Sequence, residues 1–197
     1  MHLQNLTLKN LGVCAAVLAI GVAALGLVDR LATRAGSAGF TLAGIEADVT
    51  SRWPEVTQLS TVELEARMAS GEPPLLLDVR EDAEYRVSHL AGAERIDPKI
   101  NPAAFAALIS EKARGRDVVF YCSVGMRSSN LAAEMQDGLI KSGATSVANL
   151  KGGIFGWHNE RRALVDGRGP TDFVHPYDQK WGTLVARPDQ TRMDVTR

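Results

Sequence analysis

The sequence predicts an α/β domain around a mostly parallel sheet, and three observations carry that prediction. Short apolar runs at residues 75–79, 118–121 and 146–150 suit strands buried on both faces. Segments with helix caps or helical apolar spacing stand between these runs, so strand and helix alternate along the chain. The third observation is the tight loop Cys122-Ser123-Val124-Gly125-Met126-Arg127. It joins the second of these strands to a helix carrying Leu131, Met135 and Leu139.

In chain order, residues 11–28 come first as an uncharged run rich in Ala, Val, Leu and Gly, between Lys9 and Asp29-Arg30. A bilayer core takes about 20 apolar residues. The N-terminal segment, residues 1–35, is therefore expected to carry a single-pass hydrophobic helix over 11–28. A cleaved signal peptide with Ala24-Leu25-Gly26 as its small-residue site is one competing reading; a buried or interfacial helix is the other. Lys9 on one side nearly balances Arg30 and Arg34 on the other. The short tail before the run favours a domain on the extracytoplasmic, periplasmic side of the membrane. Residues 36–50 read as a linker, because Ala35-Gly36-Ser37-Ala38-Gly39 is a flexible connector.

The folded domain is expected over residues 51–160. Residues 56–59 read as an edge strand. Ser60-Thr61-Val62-Glu63 is a capping box opening a helix to Met68, and Gly71 with Pro73-Pro74 bars its continuation. After the strand at 75–79, residues 81–88 suit a short helix and 89–92 a turn. Asn101-Pro102 places a cap and a first-turn proline before a helix reaching Ala113. The helix after the cysteine loop stops near Ser142, where Gly143 supplies a left-handed residue. A strand at 146–150 and a short helix at 154–160 complete the domain. Residues 161–197 form a C-terminal extension. Its Phe173, His175, Tyr177 and Trp181 are too dense for a disordered tail, so the extension is expected to pack on the domain. His175 or Tyr177 then lies either at the cleft or on an outer face.

Cys122 follows a strand and faces a helix start, where free N–H groups and the helix dipole favour an anion. Gly125 allows positive φ, so successive amides can form an anion nest. A helix N-terminus and a nearby arginine favour the thiolate form of cysteine. The bland alternative is a structural cysteine ending a core strand.

Further motifs strengthen the chemical reading. Leu75-Leu76-Leu77-Asp78-Val79-Arg80-Glu81, Glu84-Tyr85, His89-Leu90-Ala91-Gly92-Ala93, the Cys122-to-Ser128 loop and Gly152-Gly153 with Trp157 occur in order. Together, over residues 53–160, they resemble the rhodanese-like domain family. The resemblance implies a three-layer α/β fold and sulfur transfer through a persulfide on Cys122. The substrate-binding loop would be Ser123, Val124, Gly125, Met126, Arg127 and Ser128. Arg127 would orient an anionic donor, and Ser128 would support the sulfur anion. No metal and no cofactor is implied. The partners would be a small sulfur donor, such as thiosulfate or a persulfide, and a thiol or cyanide acceptor. In the family the Asp78-x-Arg80 pair looks architectural and His89 bonds backbone.

Two departures stand out. Two-domain thiosulfate enzymes of this family usually carry arginine where Glu84 stands, and lysine where Val124 stands. Arg127 is left as the main positive charge expected near the sulfur, and thiosulfate is a doubtful physiological donor. Rhodanese-like phosphatases place five residues between Cys and Arg; here only Ser123, Val124, Gly125 and Met126 intervene.

Composition closes other routes. The formal net charge of −1 gives no argument for nucleic acid. Cys14 and Cys122 are the only cysteines and lie in separate segments, against an intramolecular disulfide. The four histidines are scattered, without a metal-ligand motif. The competing function is a membrane-tethered, non-catalytic rhodanese-like scaffold; no protein partner is identified.

Overall fold

The computed structural model describes residues 39–194. The span expected over 11–28 lies outside them, and among the described residues no helix is long and apolar enough to cross a membrane.

A five-stranded, wholly parallel sheet forms the centre. Its strands are β1 (Thr57–Leu59), β2 (Leu75–Asp78), β3 (Glu94–Arg95), β4 (Asp117–Tyr121) and β5 (Ser146–Leu150), in the order β1-β5-β4-β2-β3. The central position of β4 explains its composition. Val118 and Phe120 point into one apolar layer, Val119 and Tyr121 into the other, and all four are fully buried.

Two helical layers cover the sheet. On one face, α4 (Pro102–Ala113) and α5 (Met126–Lys141) bring Phe105, Ile109, Leu131, Met135 and Leu139 onto Leu75, Leu77, Val118 and Phe120. On the other, α1 (Leu42–Arg52), α2 (Thr61–Met68) and α6 (Gly153–Asn159) supply Ile45, Val49, Leu64, Ile154 and Phe155. A short helix, α3 (Asp82–Val87), follows β2. The capping box at Ser60 and Glu63 forms as expected, and Asn101 caps α4 with Pro102 in its first turn.

Helix α1 corrects the linker assigned to residues 36–50. Thr41 caps it through a 3.1 Å bond from the Gly44 N–H. Ile45 and Val49, one turn apart, are its buried residues. That spacing is helical, but the small-residue connector before it dominates the local composition.

After α6 the chain adds an antiparallel hairpin, β6 (Leu164–Asp166) with β7 (Gly169–Thr171), then a single-turn helix α7 (Gln179–Gly182). His89 and Val165 exchange backbone hydrogen bonds of 2.8 and 2.9 Å. Asn159 Nδ2 donates to the Leu184 carbonyl at 2.9 Å, and Arg187 bonds the His158 carbonyl. Val174, Leu184 and Val185 join the same apolar layer as α6.

Candidate active site

The site sits at the carboxyl end of β4, where open parallel α/β sheets gather ligands. Cys122 is the first residue past the strand and is 1% exposed. Its Sγ accepts a hydrogen bond from the Gly125 N–H at 3.2 Å. Gly125 is the N-cap of α5 at φ 96°. A Cβ there would lie 3.1 Å from Asn149 Nδ2 in a conformation side chains rarely adopt. Met126 and Arg127 are in the first turn of α5, whose amides have no intrahelical acceptor.

The Gly152-Gly153 pair holds this loop from behind. The Ile154 and Phe155 N–H groups, at the start of α6, donate to the Cys122 and Ser123 carbonyls at 2.9 and 3.0 Å. Gly153, at φ 57°, lies so close that a Cβ would stand 2.4 Å from the Cys122 carbonyl oxygen. With its carbonyls anchored to α6, the loop keeps its Gly125 amide on the sulfur.

Arg127 is the main departure from expectation. Its Nη1 and Nη2 each donate to Glu84 at 2.9 Å, and Nη2 reaches Ser123 Oγ at 3.0 Å. Ser123 Oγ in turn donates to Glu84 at 2.8 Å. The main positive charge expected near the sulfur is thus half of an ion pair. Burial alone would push the Glu84 carboxyl up. The Arg127 hydrogen bonds and charge, the Glu81 N–H and Arg80 outweigh it and hold Glu84 below the usual carboxylate range. Burial likewise opposes the Arg127 charge, but Glu84, the Cys122 sulfur and Tyr177 keep it firmly protonated. In the sequence Glu84 stands where related enzymes carry arginine; its partner lies on another helix, and no local signal joins the two.

A cavity of about 220 Å³ opens on the sulfur, lined by Cys122, Ser123, Val124, Met126 and Arg127 from the loop and by Tyr177 and Trp181 from the C-terminal extension. The Arg127 guanidinium lies 5.0 Å from the centre of the Tyr177 ring. Val124 is 4% exposed and packs with the apolar layer under α6. Ser128 is fully buried, outside the cavity lining, and its Oγ has no hydrogen-bond partner. His175 is buried and accepts the Tyr177 N–H at 3.0 Å, so it supports this C-terminal extension, a strap over the cavity, rather than lining the cavity itself.

Asp78 and Arg80 lie at the end of β2 with no exposed side-chain surface. Arg80 Nε and Nη2 bond Asp78 at 2.9 and 2.6 Å, and Nη2 also bonds the Ser88 carbonyl at 2.6 Å. His89 stacks on Tyr85 with ring centres 3.9 Å apart, its Nδ1 3.0 Å from the Tyr85 carbonyl.

The structure holds a cysteine between a strand end and a helix N-terminus in a parallel α/β domain, an arrangement suited to thiol chemistry. The chain belongs to the rhodanese-like domain family, whose profile matches residues 60–160. It is 32% identical over 114 residues to a protein from Allochromatium vinosum named "Sulfurtransferase", covering 58% of this chain and 99% of that one. It is 31% identical over 116 residues to "Probable adenylyltransferase/sulfurtransferase MoeZ" of Mycobacterium tuberculosis, covering 58% of this chain and only 28% of that protein. Among solved structures, thiosulfate sulfurtransferase from Pseudomonas aeruginosa superposes with a TM-score of 0.50 at 20% identity, over 73% of this chain and 26% of that one. That likeness speaks for the fold. Family and relatives support a rhodanese-like sulfurtransferase, which acts with a sulfur donor and an acceptor. They give the membrane segment expected over 11–28 no support.

Proposed function

We propose that the protein carries sulfane sulfur as a persulfide on Cys122, taking it from a small donor and passing it to a thiol or cyanide. The observation that supports this most is the 3.2 Å hydrogen bond from the Gly125 N–H to Cys122 Sγ at the floor of a cavity. The Cys122 thiolate attacks the outer sulfur of the donor, and the donor's S–S bond breaks with its electron pair on the leaving group. The transferred sulfur then sits within reach of the loop amides, which favour negative charge there. An acceptor thiolate or cyanide attacks that same sulfur and releases Cys122. Turnover is ping-pong.

Intact-mass measurement tests the reading. Incubation with a persulfide donor should add one sulfur to the protein, and Cys122→Ser should abolish that gain while keeping the fold. Cyanide-dependent turnover above background in Cys122→Ser would overturn the mechanism. A protein that never takes up sulfur would instead be the non-catalytic scaffold. Membrane attachment through residues 11–28 belongs to the proposal on sequence grounds alone. Full-length protein should then stay in the membrane fraction after alkaline washing.

A further inference from the structure

The C-terminal extension reaches the cavity at Cys122 from outside the matched family domain, whose last residue is Glu160. Four features show that this contact is built into the strap. Tyr177 holds φ at 67°, a conformation a bulky residue adopts only where its surroundings enforce it. The enforcing groups are present. His175 accepts the Tyr177 N–H, Asp178 caps α7 through a 2.8 Å bond from the Trp181 N–H, and Phe40 packs edge-on against Trp181 with ring centres 5.2 Å apart. The strained backbone carries the Tyr177 ring onto Arg127, and the capped turn sets Trp181 beside it at the cavity.

The cavity's chemistry then narrows the donor. Its only cationic side chain, Arg127, is bound at two nitrogens by Glu84, so a small divalent anion finds no free positive charge among the lining residues. Val124, Met126, Tyr177 and Trp181 offer apolar and aromatic surface instead. The volume of about 220 Å³ exceeds the roughly 150 Å³ of an apolar cavity that takes up benzene.

We infer that the donor is a small organic persulfide, R–S–SH, with an apolar or aromatic R group seated against Tyr177 and Trp181, and that these two residues select it over thiosulfate. The inference rests on the sulfurtransferase reading of Cys122. In the transfer, a bond forms between Cys122 Sγ and the outer sulfur, and the donor's S–S bond breaks. The electron pair leaves on R–S⁻, and the proton stays on the transferred sulfur as Cys122–S–SH. No net oxidation occurs.

The test compares benzyl persulfide, methyl persulfide and thiosulfate as donors to the full-length protein, following the mass gain at Cys122 over time. Benzyl persulfide should load faster than methyl persulfide by about tenfold or more, the discrimination an apolar pocket gives for added hydrocarbon, and thiosulfate should be slowest. Trp181→Ala and Tyr177→Ala should each cut the benzyl-over-methyl ratio to about threefold or less. Trp181→Phe, which keeps an aromatic face, should retain most of the ratio and guards against a misfolded alanine variant. Equal loading by benzyl and methyl persulfide, thiosulfate as the fastest donor, or a ratio that survives both alanine variants would overturn the donor class while leaving sulfur transfer intact. Failure of all three donors to load Cys122 would overturn the sulfurtransferase reading and this inference with it.

Discussion

Two carboxylate–guanidinium pairs flank the carboxyl ends of the central strands, and they differ in what they can do. Asp78 and Arg80 are two residues apart and have no exposed side-chain surface. Their bonds tie the end of β2 to the Ser88 carbonyl and stiffen the turn into α3. Glu84 and Arg127 come from different helices, and although Glu84 is buried, Arg127 keeps 28% of its side chain exposed at the cavity. The chemistry is the same in both. Exposure makes one pair a strut and the other a means of setting the charge beside the Cys122 sulfur.

The largest effect should come from breaking the strut. Arg80→Met leaves Asp78 as an uncompensated buried charge, a loss of about 3–5 kcal/mol. For a chain of this size that corresponds to a fall of about 10 °C in melting temperature. A fall of only a few degrees would show that the turn does not depend on the pair, and the contrast between the two pairs would be lost.

Glu84→Gln should cost less stability, about 1–2 kcal/mol, because the amide retains hydrogen-bonding capacity toward Ser123 and Arg127 can turn toward water. Its effect on chemistry should be the clearer one. With the Glu84 charge gone, Arg127 presents a free positive charge to the cavity, and loading from thiosulfate should rise by about tenfold, equivalent to about 1.4 kcal/mol. Added salt should shrink that gain, since a partly exposed charge is screened over about 10 Å at 0.1 M. Thiosulfate kinetics at two salt levels check both statements. An unchanged thiosulfate rate would mean that Glu84 does not mask Arg127. Val124→Lys is a poorer route to the same end, because Val124 is 4% exposed and part of an apolar layer.

The contrast also explains what could be read from the sequence. The capping box at Ser60, the Asn101-Pro102 start of α4 and the buried runs of β2, β4 and β5 were legible because each is a local pattern with a local cause. So was the placement of Cys122 between a strand and a helix. Asp78 and Arg80 could be judged a structural pair because they are neighbours in one turn. Glu84 with Arg127, and Tyr177 and Trp181 with Cys122, meet only through the tertiary fold. No periodicity encodes such a meeting. Helix α1 was missed for another reason. Ile45 and Val49 provide just two buried positions after a connector of small residues, too weak a stripe to outweigh the composition around it.

The smallest expected effect is a pH dependence that separates the ion pairs from the strap. Burial lowers the His175 and His158 pKa values below the ordinary 6.5, against the favourable influence of Glu84 and the Met193 carbonyl on His175 and of the Asp172 carbonyl on His158. Arg80 and Arg127 add to the lowering at His175, and Arg187 at His158. A depressed folded value means that the unfolded chain binds more protons near pH 6, so stability rises with pH up to about 6.5 and is lost as pH falls toward the folded values. The Glu84 carboxylate, held below 4.5, keeps its charge through this window. Between about pH 7.5 and 5.5 the loss therefore belongs to the histidines rather than to the Glu84–Arg127 pair. Each should contribute at most about 1.4 kcal/mol per pH unit, or roughly 3–6 °C in melting temperature. His175→Gln, which can still accept the Tyr177 N–H, should flatten part of that slope in melting curves taken across the window. If the slope is unchanged in His175→Gln, the strap is not held by a neutral imidazole, and the acid sensitivity lies with His158 in the last turn of α6.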